Sequence, residues 1–114
     1  MRVISQDGTM DFPYDNSLVF LHKNSIKGNT CVEIQLYGGT EIDAAAEYST
    51  EEKAIKAMKM LRGRYGKLEV MKVIASGTAE YMEKSLSTNE MIEQHNAYCD
   101  MNVFQFPHDD EIEV

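Results

Sequence analysis

His95 and Cys99 lie four residues apart near the end of the chain. On a helix this spacing turns an imidazole and a thiol to the same side, within reach of one metal ion. A metal centre needs more ligands, and no further cluster is evident. A buried thiol beside a polar imidazole is the commoner meaning of such a pair. A cysteine nucleophile needs a base and an orienting group, yet His22, His95 and His108 are scattered among strand, helix and tail. Asp109, Asp110, Glu111 and Glu113 could chelate a hard cation weakly, although a terminal acidic run is usually a solvated tail. Gly38-Gly39 is not followed by a helix start at phosphate-loop distance. These residues yield no catalytic set, no metal ligands and no cofactor site, so the expectation is a non-enzymatic protein.

Charge is the more informative property. The net charge is −8, unevenly spread. Residues 1–52 carry three basic and nine acidic side chains, and residues 53–72 carry seven basic ones against Glu69. Residues 73–114 carry Lys84 against nine carboxylates. Two surfaces stand out as partner-binding candidates. One is the basic helix face of Lys53, Lys56 and Lys59, which could meet a negatively charged partner or neutralise acidic neighbours. The other is the acidic stretch containing Glu80, Glu83, Glu90, Glu93, Asp109 and Asp110. Carboxylates held rigidly at suitable spacing can imitate a phosphate backbone and occupy a basic groove, while the ordinary role of such charge is solubility. An acidic domain is not expected to bind nucleic acid directly.

The elements that must hold these surfaces are legible from periodicity. Ser49–Tyr65 has Ala54, Ala57, Met58, Leu61 and Tyr65 on one face with Ile55 on its flank, so it predicts an amphipathic helix. Ser49 with Glu52 reads as a capping box and Gly66 as the stop. Before it, residues 2–5, Thr9–Phe12, Leu18–His22, Cys31–Tyr37 and Glu41–Tyr48 read as an antiparallel meander of four or five strands. Asp7-Gly8 marks the first hairpin turn. The nearly continuous apolar run Leu18–His22 suggests a central strand, and Cys31–Tyr37 alternates as a strand with one wet face.

After Gly66 the pattern weakens. Leu68–Ala75 reads as a strand, with helical continuation as the alternative. Thr78–Leu86 reads as a short helix, and Ser87–Glu90 opens another to about Tyr98. Met101–Phe106 reads as a final strand. The expected fold is a single α+β domain over residues 1–107, a sheet covered by one helix with a smaller helical part behind it. An acidic tail at 108–114 is expected to fray. No run is long and apolar enough for a membrane span, and the N-terminus lacks a signal-peptide stretch. Cys31 and Cys99, far apart, suggest free thiols in a cytosolic protein.

Three stretches carry a resemblance: MetArgValIleSerGlnAspGlyThrMetAspPheProTyr at 1–14, the TyrSerThrGluGluLysAlaIleLysAlaMetLysMetLeuArg block at 48–62, and ValPheGlnPheProHisAspAspGluIleGluVal at 103–114. Together they resemble small uncharacterised proteins of Firmicutes phages and prophages. The resemblance covers about a third of the chain and contains no catalytic signature. It implies a phage accessory protein in the bacterial host cytoplasm. By analogy with small acidic phage proteins that block host defence, the expected mode is stoichiometric binding to a host protein or nucleoprotein, as an anti-CRISPR protein does. Two alternatives remain: a small ligand-binding or enzymatic domain with a site near the C-terminal helices, and a homo-oligomeric structural or virion accessory protein.

Overall fold

Alternation along residues 30–36 sets the centre of the larger sheet. Thr30, Val32 and Ile34 are buried, whereas Cys31, Glu33 and Gln35 are half-buried, as a period of two requires of a strand with one wet face. The computed structural model describes residues 1–85, 93 and 100–114, with side chains in the long helix described as far as Val73. In chain order the elements are β1 (Arg2–Ile4), β2 (Asp11–Pro13), β3 (Ser17–Lys23), β4 (Thr30–Leu36), β5 (Asp43–Tyr48), α1 (Glu51–Ser85) and β6 (Val103–Gln105). Short 3₁₀ turns lie at Tyr14–Asn16 and Asp109–Glu111.

The class is α+β, as expected, but the strands do not form one meander. They divide into two sheets, an antiparallel β3-β4-β5 and a mixed β2-β1-β6 in which β1 runs antiparallel to β2 and parallel to β6. The central strand of the larger sheet is β4, and β3 lies at its edge. The apolar run in β3 arises because it has apolar residues on both faces: Val19 and Leu21 pack on the core, while Leu18 is 46% exposed on the other side. The alanine run does form a strand, β5. Val32 pairs with Ala46 and Glu33 with Ala44, leaving Ala45 as a bulge. That bulge lets Ala45 and Ala46 both be buried, because two residues of one strand face one of the other.

The helix packs its Ala54, Ala57, Leu61 and Leu68 stripe against the β3-β4-β5 sheet, all four side chains being fully buried. Its start differs from the sequence expectation by one residue. Thr50 is the cap, its hydroxyl accepting the Lys53 amide at 3.2 Å. Ser49 donates its hydroxyl to Asp109 instead, at 3.0 Å, a charged acceptor that makes the stronger bond.

The end of the helix differs more. Gly66 does not stop it, Leu68–Ala75 is helix rather than strand, and Ser76-Gly77-Thr78 does not break it. Neither Gly63 nor Gly66 adopts the left-handed conformation of a helix stop. A helical glycine costs only about 1 kcal/mol, and Leu68 extends the buried stripe one further turn beyond Leu61 and Tyr65. Of the expected helix at 87–98 only Glu93 is described, and it is helical; the rest lies outside the described residues. Met101–Phe106 narrows to the three residues of β6, with Phe104 and Phe106 buried edge-to-face at 5.4 Å.

The first hairpin is wider than a two-residue turn, and its return strand is Asp11–Pro13. Gly8 takes φ +76°, a conformation glycine adopts without a Cβ clash. The Asp7 carboxylate ties the turn together by accepting the Ser5 hydroxyl at 2.7 Å, the Thr9 hydroxyl at 2.7 Å and the Thr9 amide at 3.0 Å. These bonds, led by those from Thr9, hold its pKa down from 3.8 to about 2. A carboxyl depressed on folding adds stability above its unfolded pKa, and that contribution is lost as pH falls through the folded value. Stability should therefore decline between about pH 4 and pH 2, and Asp7→Asn should flatten that limb in urea melts at several pH values.

Candidate binding surface

The three stretches at 1–14, 48–62 and 103–114 converge in space. Phe106 donates its amide to the Ile4 carbonyl at 3.1 Å and Gln6 donates its amide to the Ala45 carbonyl at 2.8 Å. The Gln6 side-chain amide behaves like a short strand beside β5. Its Oε1 accepts the Glu47 amide at 3.0 Å, and its Nε2 donates to the carbonyls of Glu47 and Pro107, both at 3.1 Å. Tyr48, buried under the same seam, donates its hydroxyl to the Pro107 carbonyl at 2.8 Å. Burial, followed by the charges of Asp109 and Glu111, pushes its phenol pKa up, so the hydroxyl remains a donor.

Beyond Pro107 the chain folds back along the start of α1. Asp109 accepts the Ser49 amide at 2.7 Å and the Ser49 hydroxyl, and Lys53 Nζ lies 3.3 Å from its carboxylate and 2.9 Å from its carbonyl. The Ser49 amide is the largest cause holding the Asp109 carboxyl below the usual range. Lys56 Nζ donates to the Glu113 carbonyl, and Ile112 is buried. The segment expected to fray is docked. It is held by one apolar anchor and by the charges that sequence reading assigned to separate surfaces.

This docking changes the meaning of the candidates. Lys53 and Lys56 are engaged by the C-terminal segment, and only Lys59 of the three remains exposed without a described bond. Glu51 and Glu52 project from the first turn of α1, with Asp110, Glu111 and Glu113 exposed on the segment beside it. With Asp109, six carboxylates there meet the three lysines, so this end of the helix is acidic. Glu93 is exposed. Glu80 and Glu83 fall on the backbone of α1 beyond the described side chains. Glu90 and the His95–Cys99 pair lie outside the described residues.

Two other places hold residues of chemical interest. A cleft of about 330 Å³ opens between α1 and the turn before β3, lined by Tyr14, Asp15, Tyr37, Met58, Arg62 and Tyr65 among others. The Tyr14 and Tyr65 rings lie 4.7 Å apart, tilted. Tyr65 donates a hydrogen bond to Asp15, the main reason its phenol titrates above the usual range. Sequence spacing could not reveal this cleft, because its residues come from three separate segments.

The outer face of the larger sheet places His22, Cys31 and Glu47 side by side in one cross-strand row. Burial first, then the charges of Glu47 and Glu33, raise the Cys31 thiol pKa, the opposite of what a nucleophile needs. Residue-resolved alkylation at neutral pH should therefore modify Cys31 more slowly than free cysteine, and Glu47→Gln should speed it. Among the described residues no cluster of three His, Cys, Asp or Glu side chains could hold a metal ion. No described helix is long and apolar enough to cross a membrane.

No family model, curated protein or solved structure matches the chain.

Proposed function

We propose that the protein is a phage or prophage accessory protein that acts by stoichiometric binding, and that its target is a basic groove in a host defence nucleoprotein of the CRISPR type. The observation that carries this reading is the docked C-terminal segment. Asp109 holds Ser49 and Lys53, Lys56 holds the Glu113 carbonyl, and Ile112 is buried, so the carboxylates of Asp110, Glu111 and Glu113 are presented at the start of α1, where Glu51 and Glu52 also lie, on a fixed backbone. Fixed carboxylates lose little conformational entropy on docking, and their charge steers association with a basic surface. The phage setting rests on the resemblance of the three stretches alone.

Guided-nuclease cleavage titrated with the protein provides the test. Inhibition should saturate at equimolar protein, weaken as salt is raised, and be lost in the combined Glu51→Gln, Glu52→Gln, Asp110→Asn, Glu111→Gln, Glu113→Gln variant while its circular dichroism stays native. Full cleavage in molar excess of the protein, or inhibition unchanged by neutralising these carboxylates, would refute the reading.

A further inference from the structure

The strand edges of this protein are not equally guarded. β2 and β6, the edges of the smaller sheet, are three residues long, and the outer side of β5 is met by the backbone and side-chain amides of Gln6. β3 is different. It spans seven residues, pairs only with β4 among the described residues, and contains no proline or bulge. No charge interrupts Leu18–Leu21. Long apolar edges of this kind template pairing with another strand unless something blunts them.

Hydrogen-bond parity shows which groups the edge offers. At either end of the β3–β4 ladder, the Asn16 carbonyl accepts the Tyr37 amide at 2.9 Å and the Asn24 amide donates to the Asn29 carbonyl at 2.8 Å. Even-numbered residues of β3 therefore turn their backbone groups toward β4, and odd-numbered residues turn theirs to the open side. The Ser17 amide is already bonded to the Tyr14 carbonyl. This leaves the amides and carbonyls of Val19, Leu21 and Lys23, with the Ser17 carbonyl, facing outward.

We propose that this edge pairs with β3 of a second copy, antiparallel, about a two-fold axis at Val19. Of the registers that parity allows, this one is self-complementary in both charge and apolar surface. It sets Lys23 at both ends beside the 3₁₀ turn of the other copy, whose exposed Asp15 lies on the face that carries α1, the face to which odd-numbered side chains of β3 also point. It also sets Leu18 against Phe20 of the other copy on the outer face. Moving the axis to Leu21 would instead put Lys23 against Val19 and Leu18 against Asn24, losing both matches. Val19 would exchange amide and carbonyl with its own counterpart, and the Leu21 amide would meet the Ser17 carbonyl. One strand pair makes a small interface, so the expected affinity is micromolar.

Sedimentation of the full chain from about 1 µM to about 500 µM should show the mass rising from 13.0 kDa to twice that value. Lys23→Glu should weaken dimerisation about tenfold or more by placing like charges together at both ends. Asp15→Lys should do the same. An equimolar mixture of the two variants should restore the dimer, since both end contacts become attractive only in the mixed pair. Val19→Pro removes the central outward amide without touching the β4 ladder, and edge positions tolerate proline; it should yield a folded monomer. A monomer throughout the concentration range would overturn the proposal. So would a dimer indifferent to Lys23→Glu, or a mixture no more associated than its components. The interface uses Asp15–Lys23 and shares no residue with the docked acidic segment, so failure here leaves the cleavage titration unaffected.

Discussion

Leu61→Asp should abolish the cooperative fold. Leu61 is 1% exposed, in the middle of the stripe by which α1 covers the larger sheet. Truncation to alanine at such a site typically costs about 2–5 kcal/mol. An aspartate adds the desolvation of a charge for which the stripe of Ala54, Ala57 and Leu68 offers no partner. The total is comparable to the whole stability of an ordinary domain, about 5–15 kcal/mol. Loss of the sigmoidal urea transition is the expected readout, with dispersion lost from the amide NMR spectrum. Leu61→Met, which nearly conserves volume, should cost less than about 1.5 kcal/mol.

Deleting residues 108–114 should lower stability by at least about 2 kcal/mol, the contribution of burying one isoleucine-sized side chain. Ile112 is that side chain, and the deletion also strips the Ser49 amide and hydroxyl and the Lys53 ammonium of their common acceptor. A fall in Tm of about 8 °C or more is expected. A frayed tail would leave Tm unchanged, since surface changes away from such features stay within about 0.5 kcal/mol. Asp109→Asn separates the two contributions, because it keeps Ile112 and weakens only the charge-assisted bonds.

The helix and the strands near it are legible in sequence because each repeats a period over several turns or residues. Ala54, Ala57, Leu61 and the alternation of Val32 and Ile34 fall where periodicity places them. The misreadings occur where local signals compete with tertiary partners. Ser49 has the composition of a cap, but a carboxylate sixty residues away takes its hydroxyl. Gly66 has the composition of a stop, but the stripe continues through Leu68. Parallel pairing of β1 with β6 joins residues about a hundred apart, a relation no local window contains. The candidate surfaces show the same division. Charge counts located the basic face and the acidic tail separately, while their contact through Asp109, Lys53 and Lys56 belongs to the fold.

That contact is central, since a docked segment both occupies the basic face and fixes the acidic one. Hydrogen exchange at the Ser49 amide measures it directly, because this amide's described acceptor is the Asp109 carboxylate. The docked arrangement predicts slow exchange at Ser49 in the intact protein, accelerated by Asp109→Ala without change at Val32 in the central strand. Exchange at Ser49 as fast as in an unfolded chain, or unaffected by Asp109→Ala, would contradict it.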